Sequence, residues 1–397
     1  MASRSSSVRL PRSLAGLRYF SAVRELLASL HAKYPHPNRK LHYDELVLWF
    51  LLSCFNPALK SLRGLQAASR FKRVHKRTGL PGFSLGSFSE ATHLFDAELL
   101  HQVFRDLAER TLAQPVRRRP SSLPPELLAL AADATAWRFL PRMARCFYAE
   151  APRRGSKGHF KGHFLFDILR EVPRDVVLNP ADERHVLPEQ LQPRVLYVLD
   201  RGYCSASLFA LTEQAGSFFI ARGKEKLAFD VLQEQELSPA DRAAGLQRAA
   251  LVSWHGQKLR LLVTQRRCPP PTNLHPKRKR GKHRTPSTDS SHTWVLLTNH
   301  FELTAQDVVL LYTYRWRIET FFRWLKHVLA CQHFFSENDN GFALQLYATL
   351  IASLVVVLYA RRKPNLRLVE AIRLYLMDWA SLEDVHATLQ KCKTIPP

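Results

Sequence analysis

The sequence predicts an α/β protein, helical at both ends and rich in strands between them. Three observations carry this. Apolar positions recur at helical spacing in Tyr43–Leu52 and Leu94–Leu112. Short apolar runs that each end in an aspartate follow, at Leu127–Asp133 and Val195–Asp200. From about Ala305 to the last residue the pattern is helical again.

Taken in order, residues from about 10 to 118 read as helices with little β-branched alternation. The segment is basic, as in Lys60–Arg63 and Arg70–Arg77, which suits either a solvated face or a face against a polyanion. The proline-rich, charged stretch Pro115–Pro125 breaks the pattern and marks a domain boundary. The two runs ending in Asp133 and Asp200 have the length and breaker flanks of buried strands. The first is rich in Leu and Ala and fits a helix equally well by periodicity alone. Phe164–Leu169 and Ser217–Ala221 are further strands. Ahead of the former, His159 and His163 flank Lys161 in a basic loop, more suited to phosphate contact or plain solvation than to metal ligation. Ala249–Trp254 and Lys258–Thr264 flank a His-Gly-Gln turn and predict a hairpin. Cys268–His292 is proline-rich, serine-rich and strongly basic, a loop by composition. Thr293–Thr298 returns to strand.

Composition narrows the function. The chain has 58 Lys and Arg against 34 Asp and Glu, a formal charge of +24, which points to a polyanionic partner. The apolar run Leu346–Ala360 covers about 15 residues, short of the roughly 20 that span a bilayer, so a buried core helix is expected and no membrane partner. No secretory signal is evident at the start of the sequence. Six scattered cysteines form no C-x-x-C pair, so neither a zinc site nor a disulfide scaffold is indicated. There is no P-loop and no dinucleotide fingerprint.

Chemistry concentrates in Tyr312–Lys326. On an ideal helix at about 100° per residue, Tyr312, Arg315, Glu319 and Lys326 share a stripe about 60° wide. Ile318, Phe321, Phe322 and Leu325 fill the adjacent arc and would pack on a core. The stripe aligns one carboxylate with three groups able to contact phosphate. An ordinary amphipathic helix with a Glu–Arg surface pair remains the plainer alternative. Asp133 and Asp200, each at a strand end, add two rigidly held carboxylates of the kind that hard divalent ions take as ligands.

The spacing Tyr312-x2-Arg315-x3-Glu319-x6-Lys326 resembles the YREK signature of DDE transposases in the insertion-sequence-four family. Ala132-Asp133-Ala134-Thr135 resembles that family's first-aspartate segment, with Ala134 where glycine is usual. Leu199-Asp200-Arg201-Gly202-Tyr203 resembles the second closely. Ser61–Leu65 and Ser87–Ala91 look like pieces of its helical N-terminal domain, so the resemblance covers nearly the whole chain.

The resemblance implies a ribonuclease-H-like mixed-sheet catalytic core, interrupted by a β-rich insertion and preceded by an all-helical domain. The implied division is 1–120 for the helical DNA-binding domain, 121–222 and 292–397 for the two parts of the core, and 223–291 for the insertion. Asp133, Asp200 and Glu319 would be catalytic and would bind two Mg2+ ions, with Mn2+ as a substitute. Tyr312, Arg315 and Lys326 would hold the backbone of a transposon end. Trp294, in a Trp-x-Leu-Leu-Thr word, would stack on a flipped base, and Arg222 would contact DNA. A core tryptophan and a solvated strand end are the alternatives at those two positions. The implied activity is cut-and-paste transposition at inverted-repeat ends: nicking, hairpin formation and opening, and strand transfer to target DNA. The expected assembly is a homodimer on two ends, in a prokaryotic cytoplasm, associated with the nucleoid. A domesticated DNA-binding protein without catalysis and a nuclease without strand transfer are the rival readings.

Overall fold

The computed structural model describes residues 26–56, 58–114, 116, 119–138, 159–179, 181–224, 227–267, 291–329, 331, 333–360, 366–377 and 379–394. The basic stretch expected to form a loop lies mostly outside them, as does the N-terminal start of the helical region. In chain order, after a helical segment at 26–31, come α1 (Tyr43–Phe55), α2 (Leu62–Ala68), α3 (Lys72–Thr78), α4 (Leu85–Leu94) and α5 (Ala97–Arg110). Next are β1 (Leu128–Arg138), β2 (His159–Asp167), β3 (Val172–Leu178), α6 (Glu183–Val186), β4 (Val195–Leu199), α7 (Ala206–Gln214) and β5 (Phe218–Arg222). Then follow β6 (Asp230–Gln235), α8 (Pro239–Ala243), β7 (Leu246–Trp254), β8 (Gln257–Arg267) and β9 (Ser291–Thr298). The last elements are α9 (Ala305–Tyr314), α10 (Trp316–Arg323), α11 (Asp339–Ala360), α12 (Leu366–Leu376) and α13 (Leu382–Thr394). The architecture is mixed α/β, with one nine-stranded mixed sheet in the order β3-β2-β1-β4-β5-β9-β8-β7-β6.

Contacts divide the chain into two compact units. The first comprises Met1–Arg117, Ala134–Pro180 and Arg317–Pro397; the second comprises Arg118–Asp133 and Ala181–Trp316. Strand β1 runs from one into the other, the division falling between Asp133 and Ala134.

The first unit is built on α11. Its window Asp339–Leu358 has a mean hydropathy of 2.1, long and apolar enough to cross a membrane by length and composition, yet it is 94% buried within the protein. Helices α1, α4 and α5 and strand β3 pack around it. The core-helix expectation therefore holds, but the argument from a short apolar run does not. The helix starts well before Leu346 because Asn338 caps it, its Oδ1 accepting from the Gly341 amide at 2.6 Å. The surrounding helices begin on similar local caps: Ser84 Oγ accepts from the Ser87 amide at 3.0 Å for α4, and Asp96 Oδ1 from Glu98 at 2.9 Å for α5. Helix α3 ends at Gly79, whose φ of 65° is one that residues with a Cβ seldom adopt.

The region around His159 and His163 is strand rather than loop. Antiparallel pairing with β3 sets His163 opposite Val177, and its Nε2 lies 2.9 Å from the Asn179 carbonyl in a buried setting. A backbone ladder to a distant segment overrides the polar local composition.

In the second unit, β1 and β5 flank β4 in parallel, and β9, β8, β7 and β6 continue the sheet antiparallel. The expected β7–β8 hairpin forms, with Trp254 opposite Gln257. His255 and Gly256 make its turn with φ of 50° and 78°, the positive values a two-residue hairpin requires. The β-rich segment thus joins the main sheet by pairing β8 with β9.

Candidate active site

Two carboxylates are set side by side by backbone pairing alone. In the parallel β1–β4 ladder, Ala132 is partnered with Leu199. The next residues along are Asp133 and Asp200. In-register neighbours on parallel strands share a face and lie about 4.8 Å apart. Upstream, Ala129–Ala132 and Val195–Leu199 are all buried, as expected of strands covered on both faces. The aspartates are the first partly exposed positions beyond these runs: Asp200 follows the last residue of β4, whereas Asp133 lies within β1, not at its end as expected, at the level where its pairing with β4 stops.

Asp200 also starts the short turn Arg201–Tyr203: its Oδ1 accepts from the Arg201 amide at 2.7 Å, and its carbonyl from the Tyr203 amide at 3.0 Å. Tyr203 is buried. Its hydroxyl is pushed well above the ordinary tyrosine range, first by burial and then by the carboxylates of Asp133, Glu183, Asp200 and Asp182.

Helix α9 delivers the cations. It ends at Tyr314, and Arg315 follows as its C-terminal cap. The Arg315 Nη1 lies 3.5 Å from Asp133 Oδ2, with the side chains 8% and 24% exposed, an ion pair in a largely desolvated setting. The guanidinium is also 6.0 Å from the centre of the Tyr312 ring. Tyr312 is buried and meets Trp294 edge-on, at 4.9 Å between centroids and 75° between planes. Its hydroxyl is pushed up to about 12, chiefly by burial, with Arg315 opposing, Asp200 adding and Arg222 opposing. Arg222 ends β5 opposite Leu296 of β9 and is half-buried, as is Trp294. The second unit therefore gathers Asp133, Asp200, Arg222, Trp294, Tyr312 and Arg315.

Glu319 and Lys326 belong to the first unit. Glu319 is half-buried on α10, which seats Phe321 and Phe322 on Phe166 and Phe164 of β2, at 5.2 and 5.1 Å between ring centres. Lys326 lies in a π-helical turn, Trp324–Val328. Its Nζ donates to Thr135 Oγ1 at 2.5 Å and to the Ala136 carbonyl at 2.9 Å, and sits 5.1 Å from the Trp137 ring. Burial lowers the affinity of this ammonium for its proton. Thr135 stands two residues past Asp133, on the same face of β1 by strand alternation.

The single ideal helix expected over Tyr312–Lys326 is not formed. The chain tightens at Arg315, whose amide bonds to Tyr312, and widens at the π-turn, which shifts later side chains from a 100° progression. Nor is the polar stripe a solvent-facing one, since Tyr312 and Arg315 are buried. Tyr203 and Thr135 were given no role by sequence reasoning, although both stand in the aspartate words; burial and Lys326, respectively, single them out.

Among the described residues, no group of three or more His, Cys, Asp or Glu side chains is arranged to hold a metal ion. The adjacent Asp133–Asp200 pair supplies the all-oxygen donors that Mg2+ or Mn2+ accepts.

The chain is similar to known proteins. A family profile described as "Transposase DDE domain" matches residues 124–355, more than half of the chain. The "Putative transposase y4zB" of Sinorhizobium fredii is 28% identical over 216 residues, 52% of this chain and 56% of that protein. The "Probable transposase for insertion sequence element IS5377" of Geobacillus stearothermophilus is 25% identical over 207 residues, 51% of this chain and 50% of that protein. The chain thus spans about half the length of these curated relatives. A cryo-EM structure of a piggyBac transposase synaptic complex with hairpin DNA covers 96% of this chain and 79% of its own, at 11% identity. Its TM-score of 0.40 is too low to bear on the fold.

Proposed function

This chain belongs to the transposase DDE-domain family, and from that premise we propose that it is a DNA transposase of the insertion-sequence-four type, cutting and joining DNA at inverted-repeat ends. The observation that carries the reading is the β1–β4 register, which sets Asp133 and Asp200 side by side where that ladder ends, with Arg315 on Asp133. The core is of the ribonuclease-H-like kind, divided as the sequence implies, with 223–291 inserted between its halves and the helical region 1–120 contacting DNA.

Asp133, Asp200 and, as third ligand, Glu319 would hold two Mg2+ or Mn2+ ions, which supply activation of the attacking oxygen and neutralisation of the phosphate. The pair fits such ions because its donors are oxygens on adjacent backbone positions at the end of the β1–β4 ladder that are partly open to solvent. Arg315 balances the Asp133 charge across their ion pair. The Tyr312 hydroxyl, held protonated by burial, donates to a phosphate oxygen. Lys326 contacts the same backbone as a positive charge. Trp294, half-buried with Tyr312 against its ring, takes an unpaired base on its remaining surface, and Arg222 contacts the neighbouring backbone.

Water attacks the phosphorus at the transposon end and displaces the 3′-oxygen. The freed 3′-hydroxyl attacks a phosphorus of the opposite strand, displaces the 3′-oxygen of the flanking DNA there, and closes a hairpin. Water reopens it, and the 3′-hydroxyl then attacks target DNA. Each step is an in-line displacement, so one site serves all four. Two protomers bring two ends together, in the cytoplasm of a prokaryote and on its nucleoid.

The test supplies intact transposon ends, Mg2+ and a target plasmid. Joined product is expected, and Asp133→Asn or Asp200→Asn should cut it at least ~10³-fold while end binding persists. Binding without cleavage by the unaltered protein would leave only a DNA-binding protein. Cleavage without joining would reduce it to a nuclease.

A further inference from the structure

Helix α3 borders a cavity of about 620 Å³ within the first unit, inside the range of small-ligand sites. Leu52 and Leu59 floor it, and Tyr375 and Leu376 close it from α12. Exposed Lys72, Arg73 and Arg77 also line it, and none of its lining residues among those described is acidic. Phe71, the residue before α3, also lines it and is 61% exposed, an uncommon position for so large an apolar ring.

Helix stability does not explain this placement. Lys76 and Arg77 near the end of α3 suit the helix dipole, but Lys72 and Arg73 in its first turn oppose it, and that turn holds no acid. No residue of α3 is buried, so the helix lends its charges to the surface rather than its side chains to a core. Exposed Arg63 and Arg70 extend the basic face. Cations interleaved with an exposed aromatic above an apolar hollow match what a single nucleic-acid strand offers: a charged backbone, and bases with apolar faces.

We propose that this cavity is a binding site for single-stranded DNA, taking an unstacked base against Phe71 and Tyr375 while Lys72, Arg73 and Arg77 hold the flanking phosphates. The proposal rests on the reading of the chain as a DNA-processing protein, and its occupant is a strand opened or frayed near a cut. It lies on the helical region and is separate from the role given to Trp294.

Fluorescence anisotropy with the full-length protein in EDTA, where no cleavage occurs, tests it using a labelled mixed-sequence single strand and the matching duplex. Phe71→Ala should weaken single-strand binding roughly tenfold and leave duplex binding little changed; Phe71→Trp should restore the single-strand affinity. Arg73→Gln with Arg77→Gln should reduce the salt slope for the single strand by about 1.4, or ~0.7 per lost phosphate contact. Since Phe71 is largely exposed, its truncation should leave the melting curve unchanged, which separates loss of contact from loss of fold. Unchanged single-strand affinity in Phe71→Ala overturns the proposal, as does Phe71-dependent capture of an acidic aromatic peptide in place of DNA. If transposon ends are still cut while Phe71→Ala binds single strands normally, this site falls and the active-site reading stands. If the unaltered protein binds neither DNA, both fall.

Discussion

Replacing His101 with Gln should destabilise the protein at mildly acidic pH and much less at alkaline pH. His101, on α5, is buried between two carboxylates: Nε2 lies 2.8 Å from Asp175 Oδ1 of β3, and Nδ1 lies 3.2 Å from Glu98 Oε2. Its ring stacks on Tyr347 of α11 at 4.6 Å and 5°. Burial alone would lower the imidazole's proton affinity, but the bonds and charges of Asp175 and Glu98 overcome it, so the pKa rises. Burial likewise raises Asp175, and the His101 bond and charge overcome it, so that carboxylate falls below its ordinary value. The signs define a window. The histidine contribution is complete below its unfolded value near 6.5 and fades as pH rises through its raised folded value. The aspartate contribution is complete above its unfolded value near 3.9 and fades as pH falls through its lowered folded value. The pair therefore acts fully between about pH 4 and pH 6.5.

The Glu98 side chain is 56% exposed and adds only a few tenths of a kcal/mol after screening. The Asp175 pair dominates, as a charge-assisted bond of about 1.5–3 kcal/mol. Gln retains shape and one donor, so the net loss should be about 1–2 kcal/mol near pH 5.5 and below about 0.5 kcal/mol near pH 9. Urea unfolding followed at both pH values should show a midpoint shift of roughly 0.5 M in acid that shrinks in alkali. Equal shifts at the two pH values would refute the charged-pair argument and leave packing against Tyr347 as the whole effect.

Leu350→Ala, at a fully buried position of α11, should cost about 2–5 kcal/mol in the same urea assay, because helices and a strand enclose α11 and cannot collapse onto the void. Thr135→Val should remove the hydroxyl that accepts from Lys326, cost about 1–2 kcal/mol and lower end cleavage, whereas Thr135→Ser should behave nearly as the unaltered chain in both measurements.

Legibility in the sequence followed from how each segment earns its structure. Strands β4, β5 and β9, and β1 from Ala129 to Ala132, are largely buried, so they read as apolar runs, and the aspartates that end two of those runs are the first residues partly exposed. That is why Asp133 and Asp200 could be found without coordinates, and why their register could not. Strand β3 escaped notice because Pro173, Arg174 and Asp175 break its apolar pattern. Arg174 is nevertheless buried, donating to the Ala108 carbonyl and pairing with Glu109 of α5, while Asp175 meets His101. Such partners lie more than sixty residues away and leave no local mark. Strand β6 is exposed along most of its length, so burial imposed no alternation on it. The turn at Arg315 and the π-helical widening at Trp324–Val328 are likewise invisible to a projection that assumes one unbroken pitch.

The pairing of β1 with β4 has a consequence for how this chain tolerates insertions and deletions. Because side chains alternate along a strand, gaining or losing one residue inside either ladder segment would turn one aspartate to the opposite side of the sheet, even with every amino-acid type preserved. A length change in the stretch between Asn179 and Arg194, outside the ladder, would leave the two carboxylates facing together. Frame-preserving lesions in copies of this gene should therefore divide sharply by position: those in the connecting loops leave both acids on one side, and those of a single codon in β1 or β4 separate them.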